Sequence, residues 1–290
     1  VKIDVYIVSA FSEKQQGGNE AGVVLLDNNL TDLEMQGIAA KVGLSETAFV
    51  SKSNKADFNV RFFTPSNEVD LCGHATVAAF YLLYKQSYLR IGSYVQKTNA
   101  GLLEVDVSDN GLIYLQQAVP RFFGEINKSD IASALNIPLH YIAEKLPVEI
   151  VSTGLKDIVV PIKGLTQLLQ MQPNIKVIEE MCKTYQVVGL HTFSRETLKP
   201  HSTAHCRNFA PLYGIREESA TGTSNGALSC YLFRHQLLQR NSHYDLSIEQ
   251  GHSMGKPSQI NVSLKAANNQ IVDVKTGGFA HILGKQSIEL

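Results

Sequence analysis

Two stretches half a chain apart carry nearly the same word, and each runs on into an apolar helix. The first reads Arg61-Phe62-Phe63-Thr64-Pro65, then Cys72-Gly73-His74-Ala75-Thr76, then Val77 to Tyr84 without a charge. The second reads Arg207-Asn208-Phe209-Ala210-Pro211, then Thr221-Gly222-Thr223-Ser224-Asn225, then Gly226 to Phe233. The Arg-x-Phe-x-Pro segments are offset by 207 − 61 = 146 positions in a chain of 290. A helix that is apolar all round has no face for water and must be covered on every side. Two such helices behind matching words point to a duplicated design with one buried helix per half. In a strand-rich chain the natural cover is a curved sheet. The expected fold class is therefore α+β: two pseudo-symmetric barrel-like domains, each a curved, mostly antiparallel sheet around a central helix.

The remaining pattern supports that division. Residues 2–9, 21–27, 47–51 and 58–63 alternate or run apolar as strands do, and Thr31 with Glu34 forms a capping box before a helix over 31–41. After the 75–85 helix, Leu102 to Val107 and Leu112 to Leu115 flank Asp109-Asn110-Gly111, a strong hairpin signal. The second half repeats the order, with strands at 148–151, 158–162 and 187–192 and helices at 128–135 and 175–185. Its 226–238 helix precedes a hairpin of 260–264 and 271–275. The expected domains are 1–123 and 124–290, joined by a linker at 122–128, with a terminal strand over 279–290 free to pack back on the first.

A formal net charge of −1 leaves no electrostatic footprint for nucleic acid or an anionic membrane. The apolar run 75–84 is far short of the roughly 20 residues that span a bilayer. The chain opens on an alternating strand pattern rather than a leader, and a cytoplasmic location is expected. Cys72, Cys182, Cys206 and Cys230 form no metal-ligand spacing, and no phosphate loop is present, so neither cofactor nor metal is expected.

Both buried helices begin at a Gly-containing word. A helix N-terminus offers free N–H groups and about half a positive charge, and glycine lets a ligand approach that backbone closely. Gly73 and Gly222 either permit tight turns or open two anion sites. Their matching places favour a carboxylate held in a cleft between the domains, without Lys or Arg.

Longer words make a resemblance specific: Gly18-Asn19-x-Ala21-Gly22, then Leu44-Ser45-Glu46-Thr47, then Arg61-x-Phe63-Thr64-Pro65 leading to Cys72-Gly73-His74-Ala75-Thr76. In the second half come Ser152-Thr153-Gly154-Leu155, Arg207-x-Phe209-Ala210-Pro211 and Glu217-Glu218-x-Ala220-Thr221-Gly222-Thr223-x-Asn225. In order and over nearly the whole chain, these words resemble the PhzF-like isomerases. The resemblance implies the diaminopimelate-epimerase-like fold, a homodimer, and a small carboxylate-bearing substrate. It makes Glu46 the acid/base, with His74 and Glu218 assisting and Ser45, Gly73, Gly222 and Thr223 holding substrate. Glu218 stands where the family usually has Asp, and Thr223 where it has Ser. Glu20 and Ser219 replace two common prolines.

The residues themselves add chemistry. Burial raises a carboxyl pKa while helix N-termini lower it, a balance suited to Glu46 as general acid/base near neutral pH. The helix N-terminus should keep His74 neutral. Glu218 is either a second acid/base or a charge stabilised by the helix dipole. Diaminopimelate epimerase and proline racemase, which share the fold, place one cysteine before each helix. Here the first position holds Cys72 but the matching second position holds Thr221, so a two-thiol racemase is not expected, and Cys72 is either a second proton carrier opposite Glu46 or a small filling residue. The function expected is a cofactor-independent isomerase working by acid/base proton transfer. The alternatives are a Cys72-assisted racemase or epimerase and a non-catalytic binding protein.

Overall fold

The computed structural model describes residues 2–12, 16–26 and 30–289, so the far end of the strand expected over 21–27 lies outside the described residues. The chain divides into two compact units, Val1–Gln116 with Gly277–Leu290, and Gln117–Thr276. The boundary thus falls a few residues before 123, and the C-terminal segment completes the first unit.

The first unit contains β1 (Lys2–Ala10), β2 (Asn19–Leu25), α1 (Asp32–Val42), β3 (Thr47–Lys52), β4 (Phe58–Phe63), β5 (Glu68–Val69), α2 (Gly73–Lys85), β6 (Gly92–Thr98), β7 (Gly101–Val107) and β8 (Ile113–Gln116). The second contains β9 (Arg121–Ile126), α3 (Lys128–Leu135), β10 (Val148–Ser152), β11 (Lys156–Pro161), α4 (Leu165–Gln170), α5 (Ile175–Tyr185), β12 (Gly189–Ser194), β13 (Ala204–Ala210), β14 (Ile215–Glu218), α6 (Gly222–Arg234), β15 (His243–Gln250), β16 (Ser258–Ala267) and most of β17 (Gln270–Gly278). A final strand, β18 (Ala280–Glu289), returns to pair antiparallel with β1.

Strand pairing exposes the duplication. In the first unit the order runs β18, β1, β2, β3, β4, β6, β7, β8, antiparallel except for the parallel pairs β2/β3 and β4/β6. In the second it runs β9, β10, β11, β12, β13, β15, β16, again with two parallel pairs, β11/β12 and β13/β15. The short strands β5 and β14 pair with β4 and β13 at the same point of each order. Helix α2 packs against β18, β1, β2 and β3 and also against β7 and β8, so the sheet curls around it. Every residue from His74 to Leu83 is buried. Helix α6 lies against β10, β11 and β16 in the same manner.

Each sheet is also covered outside. In β3, Phe49 packs with Val5, Val24, Met35, Ile38 and Phe63 beneath α1. With α2 on the other face, Thr47–Val50 is buried on both sides, which explains an apolar run without alternation. In the second unit α3 and α5 cover Ile158, Val160 and Leu190. All four cysteines are buried free thiols.

Two expectations are corrected here. The segment 122–128 is not a linker: 121–126 is β9, paired with β10 through a register irregularity, and α3 starts at Lys128. Gly124, at φ +113°, interrupts the alternation that would have marked a strand. The helix expected over 226–238 starts four residues earlier, at Gly222, and α2 likewise starts at Gly73. The glycines are thus the first helical residues, with Cys72 and Thr221 as extended N-caps.

The repeated Arg words are structural. Arg61 forks onto Glu68 (Nε–Oε1 and Nη2–Oε2, both 2.7 Å), and Arg207 forks onto Glu217 (both 2.9 Å). Each guanidinium also sits 5.1 Å from the ring centroid of the Phe two residues on, Phe63 and Phe209. The bidentate pairs fix the chain just ahead of each helix entrance.

Candidate active site

At the α2 entrance the loop before β3 meets the first helical turn. The backbone at Glu46 is pinned by Gly22, whose N–H donates to the Glu46 carbonyl at 3.0 Å. A Cβ on Gly22 would sit 2.7 Å from Thr47 Oγ1, so only glycine allows β2 to approach β3 this closely. Glu46 Oε2 then lies 3.2 Å from His74 Nε2, and Ser45 Oγ lies 3.3 Å from the same nitrogen. Cys72 Sγ is 3.4 Å from Nδ1 of the same imidazole and 3.9 Å from Nε2. Four of the expected site residues, Ser45, Glu46, Cys72 and His74, therefore form one cluster, with Gly73 between the last two.

Electrostatics sharpens the roles. Burial raises the Glu46 carboxyl, but His74, through its hydrogen bond and charge, and then Ser45 and Cys72 outweigh it, leaving the pKa below the ordinary value. Burial opposes charge on His74 as well, yet the neighbouring Cys72 and Glu46 lift it well above 6.5. Burial pushes the Cys72 thiol up, against the opposing pull of His74. The neutral His74 expected from the helix dipole is thus corrected in direction: Cys72, and then the Glu46 carboxylate at 3.2 Å, outweigh burial and favour the charged ring. Glu46 Oε2 is buried, and apart from the 3.2 Å approach of His74 no group of the described residues satisfies it. A Cβ on Gly73 would meet nothing within 4 Å, so the fold itself does not demand glycine there. The donor atoms of Glu46, Cys72 and His74 lie within 4.8 Å of one another, a set a thiophilic cation could occupy, although the helix N-terminus and the charged imidazole oppose a cation.

The α6 entrance of the second unit holds Glu218, Thr221, Gly222 and Thr223. Thr221 Oγ1 donates to Glu218 Oε2 at 3.0 Å, and neither N-cap closes its helix with a side-chain bond. Thr223 offers its carbonyl to Thr153 at 3.2 Å. Sequence reasoning missed the polar residues behind each entrance. Thr76 donates to the Cys72 carbonyl (2.8 Å) and accepts from Gln96 (3.3 Å). At the equivalent places Asn225 donates to the Thr221 carbonyl (2.8 Å) and to Gln250 (2.7 Å). Asn225, four residues after its N-cap as Thr76 is after Cys72, was the available signal; isolated Gln96 and Gln250 gave none.

Comparison with known proteins decides the family. The family model described as Phenazine biosynthesis-like protein matches residues 8–285. The chain belongs to the PhzC-PhzF family. An uncharacterised isomerase of Clostridium acetobutylicum is 36% identical over all of this chain and 99% of its own. An uncharacterised isomerase of Bacillus subtilis, YfhB, is 36% identical over 94% of each chain. The crystal structure of a PhzF-family phenazine biosynthesis protein from Bacillus anthracis superposes with a TM-score of 0.92 at 30% identity, covering all of both chains. A hydroxyproline epimerase from Agrobacterium vitis shares the fold, with a TM-score of 0.61 at 12% identity over 99% of this chain and 91% of its own. The protein is accordingly an isomerase of the PhzF family with the epimerase-like fold. No helix among the described residues is long and apolar enough to cross a membrane.

Proposed function

We propose that this PhzF-family isomerase moves a proton on a small carboxylated metabolite without a cofactor, with Glu46 as the acid and base. The observation that carries the reading is the Glu46–His74 pair at the α2 entrance, where a buried carboxylate stands beside an unobstructed helix N-terminus. Glu46, ionised at neutral pH, removes a proton from a carbon activated by the substrate carboxylate or a conjugated double bond. The electron pair moves into that conjugated system, and N–H groups of the first helical turn stabilise the growing negative charge. The proton on Glu46 then returns to another carbon, while His74 and Ser45 hold the carboxyl in place. We assign carboxylate-binding N–H groups to Gly73 in the first unit and to Gly222 and Thr223 in the second, with Glu218 and the Thr223 hydroxyl assisting.

A second reading has one observation behind it, the 3.4 Å contact between Cys72 Sγ and His74. With its pKa raised by burial, Cys72 would serve as proton donor opposite Glu46, giving epimerisation. Small carboxylates incubated with the enzyme in D2O and read by NMR and mass spectrometry test both. Exchange that Glu46→Gln abolishes and Cys72→Ser leaves intact supports the first reading. Exchange with loss of chirality that Cys72→Ser abolishes supports the second. A ligand that binds the site without any exchange defeats both and leaves a binding protein.

A further inference from the structure

Behind the α6 entrance lies a chain of buried polar side chains whose hydrogen bonds can have only one direction. The direction is set by backbone groups. Gln250 Nε2 donates to the Glu218 carbonyl at 2.8 Å, and the Thr221 N–H reaches Gln250 Oε1 at 3.3 Å. That fixes which end of the amide is oxygen. Asn225 Nδ2 likewise donates to the Thr221 carbonyl, leaving Asn225 Oδ1 to face His191 Nε2 at 3.2 Å. An oxygen there requires His191 to carry its proton on Nε2. Nδ1 must then accept, and Asn208 Nδ2 supplies it at 3.2 Å. The second hydrogen of Asn208 goes to Ser224 Oγ (3.2 Å), which donates to Asp157 Oδ2 (2.6 Å).

We propose that Asn208, His191, Asn225 and Gln250 are positioning residues that orient the Thr221 hydroxyl onto the Glu218 carboxylate through a one-directional hydrogen-bond chain. From Asn208 the donors run to His191, to Asn225 Oδ1, from Asn225 Nδ2 to Gln250 Oε1 (2.7 Å), from Gln250 Nε2 to Thr221 Oγ1 (3.1 Å), and finally from Thr221 to Glu218 Oε2 (3.0 Å). With its own oxygen accepting from Gln250, Thr221 has a single hydrogen and one place to send it. The hydroxyl is thereby a fixed donor, and Glu218 is held as its acceptor. His191 is the node, because reversing its tautomer would turn Asn225 and Gln250 against the backbone groups that anchor them. Burial supports this by keeping His191 neutral, with its pKa near 4. The inference rests on the assignment of Glu218 to the site, but its test reads the network alone.

The test uses the whole chain labelled with 15N, at pH 7. Long-range 1H–15N spectra should show His191 as the neutral Nε2–H tautomer; the Nδ1–H tautomer or a charged ring overturns the proposal. Hydrogen exchange then follows the side-chain amides of Asn225 and Gln250. In His191→Phe they should exchange at least about tenfold faster, while backbone amides of β10 to β12 keep their protection. In His191→Gln, which keeps one donor and one acceptor in the same sense, protection should return. Unchanged exchange in His191→Phe, or no rescue by Gln, rejects the chain. If His191→Phe fails to fold, the wild-type tautomer and the Gln variant still decide. A missing isomerase activity would leave these outcomes untouched.

Discussion

The two helix entrances are built with the same devices and filled with different chemistry. Each has an Arg forked onto a Glu and stacked on a Phe, an N-cap whose side chain does not close the helix, and a side chain four residues on that bonds the N-cap carbonyl. Each of those side chains is in turn held by a Gln on a neighbouring strand, Gln96 on β6 or Gln250 on β15. Within that shared frame the first entrance gathers groups that titrate: Glu46, His74 and Cys72. The second gathers amides and hydroxyls around Glu218. Duplication has kept the parts that hold a helix end open, and the units have diverged in what the opening presents. On the reading proposed above, one entrance moves the proton and the other holds the geometry.

The largest effect that could break this contrast is kinetic. Glu46→Gln keeps shape but removes the proton acceptor, so turnover of an exchanged carboxylate should fall at least about a hundredfold to ten-thousandfold. Glu218→Gln keeps an acceptor for the Thr221 hydroxyl and should cost far less, about tenfold. Steady-state rates on the same carboxylate check this, and equal losses would mean that both entrances do acid/base work.

The Arg forks differ in burial, which predicts unequal stability costs. Arg207 is nearly buried and also donates from Nη1 to the carbonyls of Leu168 (3.0 Å) and Met171 (2.9 Å). Arg207→Met strands those carbonyls and leaves the Glu217 carboxylate with the Ser253 hydroxyl but without its charged partner, for about 3–5 kcal/mol. Arg61, one-quarter exposed and paired outward with Asp32, should cost only roughly 1–2 kcal/mol when changed to Met. Urea unfolding of both variants, with hydrogen exchange to show which unit loosens, makes the comparison; equal costs would show that burial does not separate the two forks.

How much of this was legible in the sequence follows from what each signal encodes. The apolar runs in α2 and α6 can only be buried, so the central helices and the curved sheets were readable. The halves of the repeat were visible in words whose side chains prove architectural, as Arg61 and Arg207 show. Strand β9 was not legible, because Gly124 in the positive-φ region breaks its alternation. Glu46, His74 and Cys72 were named from short words, yet the charge on His74 was misjudged because residues 46 and 74 carry no sequence sign of standing 3.2 Å apart. The polar chain behind Glu218 was missed for the same reason: Asp157, His191, Asn208 and Gln250 lie on four separate strands.

Asp157 offers a stability test confined to the second entrance. Burial, partly offset by Ser224 and reinforced by Glu218, raises its carboxyl from 3.8 to about 7. The folded protein therefore binds more protons than the unfolded chain between those values, and stability falls as pH rises through that window. The full penalty, at most about 4 kcal/mol, is present above pH 7 and absent near pH 4. Asp157→Asn can still accept from Ser224 without ionising. It should melt higher than wild type at pH 8, with the gain shrinking steadily on acidification. A gain independent of pH would show that Asp157 does not ionise in this range.

The smallest effect separates two helical glycines. Gly226 in α6 is tightly packed: a Cβ would come to 3.0 Å from Thr276 Cγ2 and 3.1 Å from Thr153 Oγ1, which would have to give by a few tenths of an ångström. Gly73 in α2 has no such neighbour and no positive φ. Alanine at 226 must push its neighbours aside and should cost about 1–3 kcal/mol. Alanine at 73 should leave stability unchanged or raise it by up to about 1 kcal/mol, since glycine is a poor helix former. If the space before Gly73 is where a carboxylate meets the first helical turn, the same methyl group should raise KM for the exchanged carboxylate several-fold. A Gly73→Ala enzyme with higher stability and unchanged KM would place the carboxylate elsewhere, and would leave Gly73 without a role in the contrast between the two entrances.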